Sequence, residues 1–236
     1  MKRSEINEWI DGAVGFFETM CFPLPPFAHF SLSDWRDAQD HVREIVDCQL
    51  GWDITDFGAG DFRSVGLLLF TLRNGRMGNS DYPKSYAEKA MLVLEDQVTP
   101  MHFHWTKMED IINRGGGNLV LDLYGSTPEE RLDASRPVSV SLDGICKTVR
   151  PGESVVLRPG ESITLFPRMY HTFRGECGRV IVGEVSTVND DVSDNRFFKP
   201  VPRFSQIEED TPPKYLLCNE YSQFLKCKAV MEGFDP

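Results

Sequence analysis

Two histidines stand two residues apart in the middle of the chain, His102 and His104, and a glutamate follows at Glu109. In a β-strand, residues two apart point to the same face of the sheet, so both imidazoles would project to one side. Neutral imidazole nitrogens and a carboxylate suit a divalent ion such as Mn, Fe, Co, Ni or Zn. The pattern therefore predicts a metal site, and the identity of the ion stays open.

The same stretch resembles the first motif of the cupin family, in which a His-x-His pair is followed by a glutamate and then by a glycine, here Gly116. The family pattern adds a histidine on a later strand, after a proline. Pro167 and His171 match those two positions. The resemblance implies a set of four ligands: His102, His104, Glu109 and His171. Four ligands leave two positions of an octahedral ion open, enough for two oxygens of a substrate.

The second motif departs from the usual cupin form. Met169 stands where a glycine is common and Gly175 where an asparagine is common, although neither position is a ligand. Of the five histidines, His29 lies in a proline-rich break and His41 lies off the apolar face of a predicted helix. We expect these two to have no functional role.

The elements that must position these residues begin with two predicted helices. Apolar residues recur at helical spacing over 6–20, with Ser4 available as a cap. A capping box starting at Ser31 opens a second apolar stripe, which ends at Gly51.

The remainder of the chain reads as β-structure. Short apolar runs alternate with turn residues, and Asp143-Gly144 is a strong hairpin signal. The predicted strands cover 65–72, 91–94, 98–105, 118–124, 138–142, 145–149, 155–157, 162–166 and 179–185. This density predicts a mainly β protein, a sandwich or barrel with helices packed outside it. We expect one domain over 1–236 with an N-terminal helical extension of about 1–60, a return segment at 200–213 and a short helix within 214–231.

Charge and composition narrow the function classes. The formal net charge of −11 argues against a nucleic-acid or anionic-membrane partner, because both require clustered Lys and Arg. The sequence has neither a secretory apolar run nor a membrane-spanning one. Its six cysteines have no regular spacing, which favours reduced thiols over a disulfide framework. We therefore expect a cytoplasmic protein.

Two longer strings, over 95–117 and 183–197, are similar to the D-lyxose isomerase family, and the similarity extends over roughly 22–204. This resemblance implies a jelly-roll-like cupin β-barrel, a homodimer and a divalent metal, commonly Mn²⁺. It also implies interconversion of D-lyxose and D-xylulose, with a side activity on D-mannose and D-fructose.

Such an isomerisation needs a polarised carbonyl and a base near a weakly acidic C–H. Glu184 is the predicted base, because it interrupts an apolar strand in which an unpaired carboxylate would be costly. An outward-facing glutamate is the alternative. Lys89 matches a family position and is expected to hold a substrate hydroxyl or assist proton transfer, with a solvated surface lysine as the alternative. Asp194 and Arg196 are candidate contacts to sugar hydroxyls, with a simple ion pair as the alternative.

The reaction itself has alternatives at this stage. A hydride shift yields the same products as proton transfer through an enediol. A cupin dioxygenase would hold Fe with the same four ligands, and oxygen consumption would reveal it. A sugar- or metal-binding cupin without catalysis would bind and not turn over, and Glu184 is the residue that argues against it.

Overall fold

Twelve antiparallel strands form the body of the protein in the computed structural model, which describes residues 1–225 apart from the side chains of residues 39 and 40. The strands are β1 (Gly51–Thr55), β2 (Leu67–Arg73), β3 (Tyr86–Val93), β4 (His102–Phe103), β5 (Glu109–Ser126), β6 (Leu132–Asp133), β7 (Val138–Leu142), β8 (Ile145–Val149), β9 (Ser154–Leu157), β10 (Ser162–Leu165), β11 (Tyr170–Thr187) and β12 (Arg196–Phe197). The helices are α1 (Arg3–Thr19), α2 (Leu32–Ala38), α3 (Arg43–Asp47) and α4 (Tyr221–Phe224), with 3₁₀ turns at Pro26–His29 and Gln39–Val42.

Two strands of 18 residues each, β5 and β11, organise the sheet. Their pairing continues on either side as β1-β2-β3-β11-β5-β10-β7-β8, while β4 joins β11 and β9 joins β5. Both long strands bend at glycines. A Cβ at Gly116 would overlap the carbonyl oxygen of Arg179 on the neighbouring strand, so only glycine fits this crossing. The glycine of the first motif thus lies at a bend within β5.

Strands β2 and β3 are buried on both faces, which explains their almost continuous apolar runs. Leu69 and Met91 face the interior of the β-structure, where they join the main core. Phe70 and Leu92 point the opposite way and pack in a second core that also contains Ile10 of α1. The helix therefore covers the outer face of the strands that border the predicted site.

The mainly β prediction and its cupin-type fold are confirmed, with differences in detail. The predicted strand 98–105 is reduced to β4, and β1, β6 and β12 are strands that the apolar pattern missed, the last two because they have only two residues each. Helix α1 begins at Arg3 rather than after a Ser4 cap.

The second predicted helix is divided into α2, a 3₁₀ turn and α3. Its capping box is present, since the Asp34 amide donates to Ser31 Oγ and the Ser31 amide donates to Asp34 Oδ2. No glycine or proline breaks the stripe. Trp35 and Val42 instead pack against Leu216 of the C-terminal segment, so tertiary packing determines the geometry of a stretch too short to form a stable helix alone.

The start of α1 is fastened to the C-terminal segment through one buried arginine. Arg3 is fully buried, and its guanidinium pairs with Glu220, which is nearly buried, and with Glu209 at 2.6 Å. The Arg3 amide also donates to the Glu208 carbonyl. Within the predicted range 214–231, α4 is the short helix that is observed, residues 214–220 form bends and turns, and residues 226–231 lie outside the described residues.

We expect Arg3→Met to lower the free energy of unfolding by about 3–5 kcal/mol, because it leaves the Glu220 carboxylate buried without a partner. Urea denaturation of the folded protein measures this change. Lys214→Met is the matched control: it removes the exposed Lys214–Asp11 pair and should cost about 1 kcal/mol or less. Equal losses in the two variants would contradict the structural role assigned to Arg3.

Candidate active site and metal centre

Three histidine side chains converge at one end of the β-structure. His102 lies on β4, His171 lies opposite it on β11, and His104 follows β4. The nitrogen atoms available as ligands lie within 4.8 Å of one another, and all three side chains are buried. This group can hold a metal ion.

The histidine tautomers favour metal binding as well. Nδ1 of His102 lies 2.8 Å from the Pro100 carbonyl, Nδ1 of His104 lies 2.6 Å from the Asp194 carbonyl, and Nδ1 of His171 lies 3.1 Å from the Met169 carbonyl. A carbonyl oxygen can only accept, so each Nδ1 must carry the proton. Each Nε2 is then left with a free lone pair, as in metal-binding histidines.

Glu109, the first residue of β5, brings a carboxylate to the same place. Its Oε1 lies 3.2 Å from Nε2 of His171 and 3.5 Å from Nε2 of His104. This oxygen is buried and has no hydrogen-bond partner within the described part of the chain. An unpartnered buried carboxylate oxygen beside free imidazole nitrogens is what a cation site requires. The four predicted ligand residues are thus brought together.

Lys107 connects this centre to Glu184. Its Nζ lies 2.7 Å from Glu109 Oε2 and 2.9 Å from Glu184 Oε1, and the side chain is almost fully buried. Burial acts to lower the pKa of Lys107, but the carboxylates of Glu109, Glu184 and Asp191 outweigh it and raise that pKa above its ordinary value. The lysine is therefore a cation.

Burial and neighbouring charges also shift the pKa values of the candidate metal ligands. Burial would raise the pKa of Glu109, but the Lys107 ammonium group outweighs it and lowers that pKa to about 2. Burial and the neighbouring imidazoles of the triad hold the pKa of His102 well below its usual value. The site therefore contains an ionised carboxylate and a neutral imidazole at neutral pH, as metal ligation requires.

Charged side chains continue from Glu184 to the other end of the cavity. Lys89 Nζ lies 3.6 Å from Glu184 Oε1 and 3.5 Å from Asp191 Oδ1. Arg203 Nη2 lies 3.3 Å from Asp191 Oδ2 and 2.5 Å from Asp53 Oδ2. We refer to this alternating series as the charged wall; its members are Glu109, Lys107, Glu184, Lys89, Asp191, Arg203 and Asp53.

A cavity lies between the charged wall and an apolar side. All members of the wall except Asp53 line it, together with the three histidines. The apolar lining residues are Phe57, Leu67, Leu69, Met91, Ile111, Phe173 and Phe197. A pocket of such mixed polarity suits a small polar molecule.

Asp194 and Arg196 are placed differently from the other predicted site residues, since neither lines this cavity. The Asp194 carboxylate accepts hydrogen bonds from the amides of Trp105, Thr106 and Lys107, and its carbonyl accepts from His104. Asp194 thus holds the loop that carries His104 and Lys107. Arg196 bonds to Glu130 and to the carbonyl of its own neighbour.

Three charged cavity residues, Lys107, Asp191 and Arg203, were not predicted from the sequence. Lys107 had a usable signal, because it lies two residues before Glu109 within the first motif. Asp191 and Arg203 lie outside the strands, in segments whose approach to the sheet depends on the tertiary fold.

Comparison with known proteins decides the family. The family model of D-lyxose isomerases matches residues 1–221. The chain belongs to the D-lyxose isomerase family. It is 53% identical over 228 residues to the D-lyxose/D-mannose isomerase of Serratia proteamaculans, covering 95% of this chain and 100% of that protein. It is 48% identical over 227 residues to that of Escherichia coli O157:H7, with the same coverage of 95% and 100%. As a member of the D-lyxose isomerase family, the chain is an aldose–ketose isomerase of sugars.

Solved structures of L-ribose isomerases have a similar fold. The L-ribose isomerase of Cellulomonas parahominis matches with a TM-score of 0.54 at 17% identity, covering 88% of this chain and 98% of that one. An L-ribose isomerase of Acinetobacter sp. DL28 matches with a TM-score of 0.56 at 18% identity and the same coverage of 88% and 98%. At such low identity the likeness shows the fold alone. Within residues 1–225, no helix has the length and apolar character needed to cross a membrane.

We expect His102→Ala to lose most of its bound divalent metal after dialysis, because one of the converging imidazoles is removed. Elemental analysis of the purified variant measures the loss. His41→Ala is the matched control, since His41 is exposed and remote from the site, and it should retain wild-type metal content. Full metal occupancy in the His102 variant would show that the histidine triad is not the metal site.

Proposed function

We propose that this isomerase interconverts D-lyxose and D-xylulose, and also D-mannose and D-fructose, by metal-assisted proton transfer through an enediol. The observation that carries the proposal is the contact between a cation site and a buried carboxylate–lysine pair in one cavity, where Glu184 lies 2.9 Å from Lys107 and lines the pocket. The D-lyxose/D-mannose isomerases to which the chain is similar support the substrates.

The residues fit a divalent ion, and we assign it to His102, His104, Glu109 and His171. The support is the free lone pair on each Nε2 and the unpartnered Oε1 of Glu109. When bound, the ion polarises the carbonyl of the open-chain sugar and stabilises negative charge on its oxygens. Mn²⁺ is the proposed ion, on the strength of the family resemblance, because this ligand set accepts several metals.

Glu184 is the proposed base. It removes the proton from carbon 2 of the aldose, and the electron pair of that C–H bond forms the carbon 1–carbon 2 double bond of the enediol. Return of the proton to carbon 1 then gives the ketose. Glu184 is nearly buried, and burial excludes the water that would otherwise exchange with this proton.

Lys89 and Lys107 are the proposed proton donors to the sugar oxygens. Both ammonium groups lie near Glu184 Oε1, and both donate to Asn189 Oδ1, at 2.7 Å from Lys89 and 3.4 Å from Lys107. Oxygen 1 must gain a proton as the enediol forms, and oxygen 2 must lose one as the ketone forms. A lysine beside the base can hold that proton between the two steps.

The predicted sugar contacts of Asp194 and Arg196 stay predictions. We assign Asp194 a positioning role instead, because its carboxylate already accepts hydrogen bonds from three backbone amides of the loop that carries Lys107. Lys89 is the proposed contact to the sugar among the predicted substrate-binding residues, since its nitrogen lies within the cavity lining.

We further propose a cytoplasmic homodimer. The homodimer rests on the family resemblance. The cytoplasmic location is supported by the free thiols of Cys21, Cys48, Cys146, Cys177 and Cys218 within the described residues, since disulfides are rare in a reducing compartment.

A substrate panel tests the reaction. Chelation should abolish the isomerisation of D-lyxose and D-mannose, and Mn²⁺ should restore it, because the metal supplies the polarisation of the carbonyl. D-Xylose, which differs from D-lyxose at carbon 2, should react more slowly. Chromatography measures the ketose product, and an oxygen electrode measures oxygen consumption. Oxygen consumption without a ketose product would favour the dioxygenase alternative and contradict the proposal.

Glu184→Gln should reduce kcat by a factor on the order of 10²–10⁴, because it keeps the shape of the side chain and removes the base. Metal content and sugar binding should persist. Glu176→Gln, an exposed change on the same strand, is the matched control and should have normal turnover. Near-normal turnover of the Glu184 variant would remove Glu184 from the role of base.

Wild-type reaction in heavy water separates the two routes to the same product. Proton transfer should place solvent deuterium at carbon 1 of the ketose or carbon 2 of the aldose, in partial yield if Glu184 returns the same proton. Nuclear magnetic resonance of the recovered sugars measures the label. Complete absence of deuterium over many turnovers would indicate a hydride shift and contradict the enediol step.

A further inference from the structure

Arg203 is a charged residue of the cavity that has no role in the proposed mechanism. It lies on the segment that follows β12, and only 11% of its side chain is exposed. Nη2 is bonded to Asp53 and approaches Asp191, while Nη1 is buried without an acceptor within residues 1–225. The guanidinium lines the same cavity as the histidines.

An unsatisfied donor on a buried guanidinium is costly, since a group without its hydrogen bond retains the full desolvation penalty. Burial would lower the pKa of Arg203, but Asp53 and Asp191 outweigh it and hold that pKa above its ordinary value. The group is therefore a fixed cation with spare donors. Its planar fork is held by two carboxylates, which makes it a rigid recognition element rather than a mobile surface charge.

The position of Arg203 along the charged wall indicates which part of a substrate it would meet. Lys89 and Asp191 separate it from Glu184, whereas Glu109 and Lys107 lie on the other side, toward the histidines. A sugar whose reacting carbons 1 and 2 lie at the histidine triad and Glu184 must extend away from them. The remaining hydroxyls then approach the end of the wall where Arg203 lies.

We propose that Arg203 is a specificity-determining residue, which donates a hydrogen bond from Nη1 to a hydroxyl on carbon 4 or carbon 5 of the open-chain sugar. This inference rests on the proposed function. Asp191 lines the cavity beside Arg203 and can accept the proton of the same hydroxyl. D-Lyxose and D-mannose have the same configuration at carbons 2, 3 and 4, so one fixed donor at this end can serve both a pentose and a hexose.

The unaltered enzyme loaded with Mn²⁺ provides the first test, which requires no variant. Values of kcat/KM are compared for D-lyxose, its 4-deoxy analogue and its 5-deoxy analogue. Loss of a hydrogen bond to a charged donor should lower kcat/KM by about 10- to 100-fold for at least one analogue. Equal kcat/KM for all three sugars would overturn the inference. Absence of D-lyxose turnover would instead overturn the proposed function, and this inference with it.

Arg203→Lys provides the second test, since lysine keeps a positive charge for Asp53 and Asp191 but lacks the guanidinium fork. The variant should retain its metal and discriminate several-fold less, or not at all, between D-lyxose and the analogue that the wild type rejects. Arg174→Lys makes the same chemical change at a half-buried pair with Asp122 outside the cavity, and should leave the discrimination unchanged. Wild-type discrimination retained by Arg203→Lys would overturn the inference.

Discussion

The alternation of buried opposite charges is the constraint on which this active site depends. Four carboxylates and three cations follow one another from Glu109 to Asp53, each within 3.6 Å of the next. Any one of these charges buried alone would cost several kcal/mol, and removal of one partner from a buried pair typically costs about 3–5 kcal/mol. Every member is a partner of its neighbours, so the loss of one leaves up to two others unpaired. The wall therefore acts as a unit, and substitutions within it should not be additive.

The register of the paired strands determines where the charges of the charged wall lie. Glu184 on β11 is paired directly with Lys89 on β3, and in both strands the interior face continues from these charges into apolar core residues, Val182 beside Glu184 and Met91 beside Lys89. Because side chains alternate along a strand, a slip of one residue would move the core residues to the opposite face and turn both charges away from the cavity. The hydrophobic core thus fixes the positions of the charges. Helix α1 strengthens this register from outside, since the opposite faces of β2 and β3 pack beneath it.

Local sequence patterns pointed to His102, His104, Glu109, His171 and Glu184, which line one cavity, better than to the other charged residues there. His102 and His104 share a face because of their spacing, and Glu184 stands out as a charge within an apolar strand. Arg203 gives no such signal, because its partner Asp53 lies 150 residues away and β1, which carries Asp53, was itself missed. Asp194 shows a different limit of local patterns: a polar residue in a family-like string was expected at the sugar, and its carboxylate is bonded to three backbone amides. Only tertiary structure distinguishes these two roles.

Glu109 links the proposed metal site to the proposed base. Its Oε2 accepts from Lys107, while Oε1 faces the histidine nitrogens and has no hydrogen-bond partner among the described residues. Lys107 in turn bonds to Glu184. A divalent ion held by Glu109 would draw charge from this carboxylate and would thereby weaken its hold on Lys107. Metal binding and the proton donation proposed for Lys107 would therefore be coupled through a single side chain.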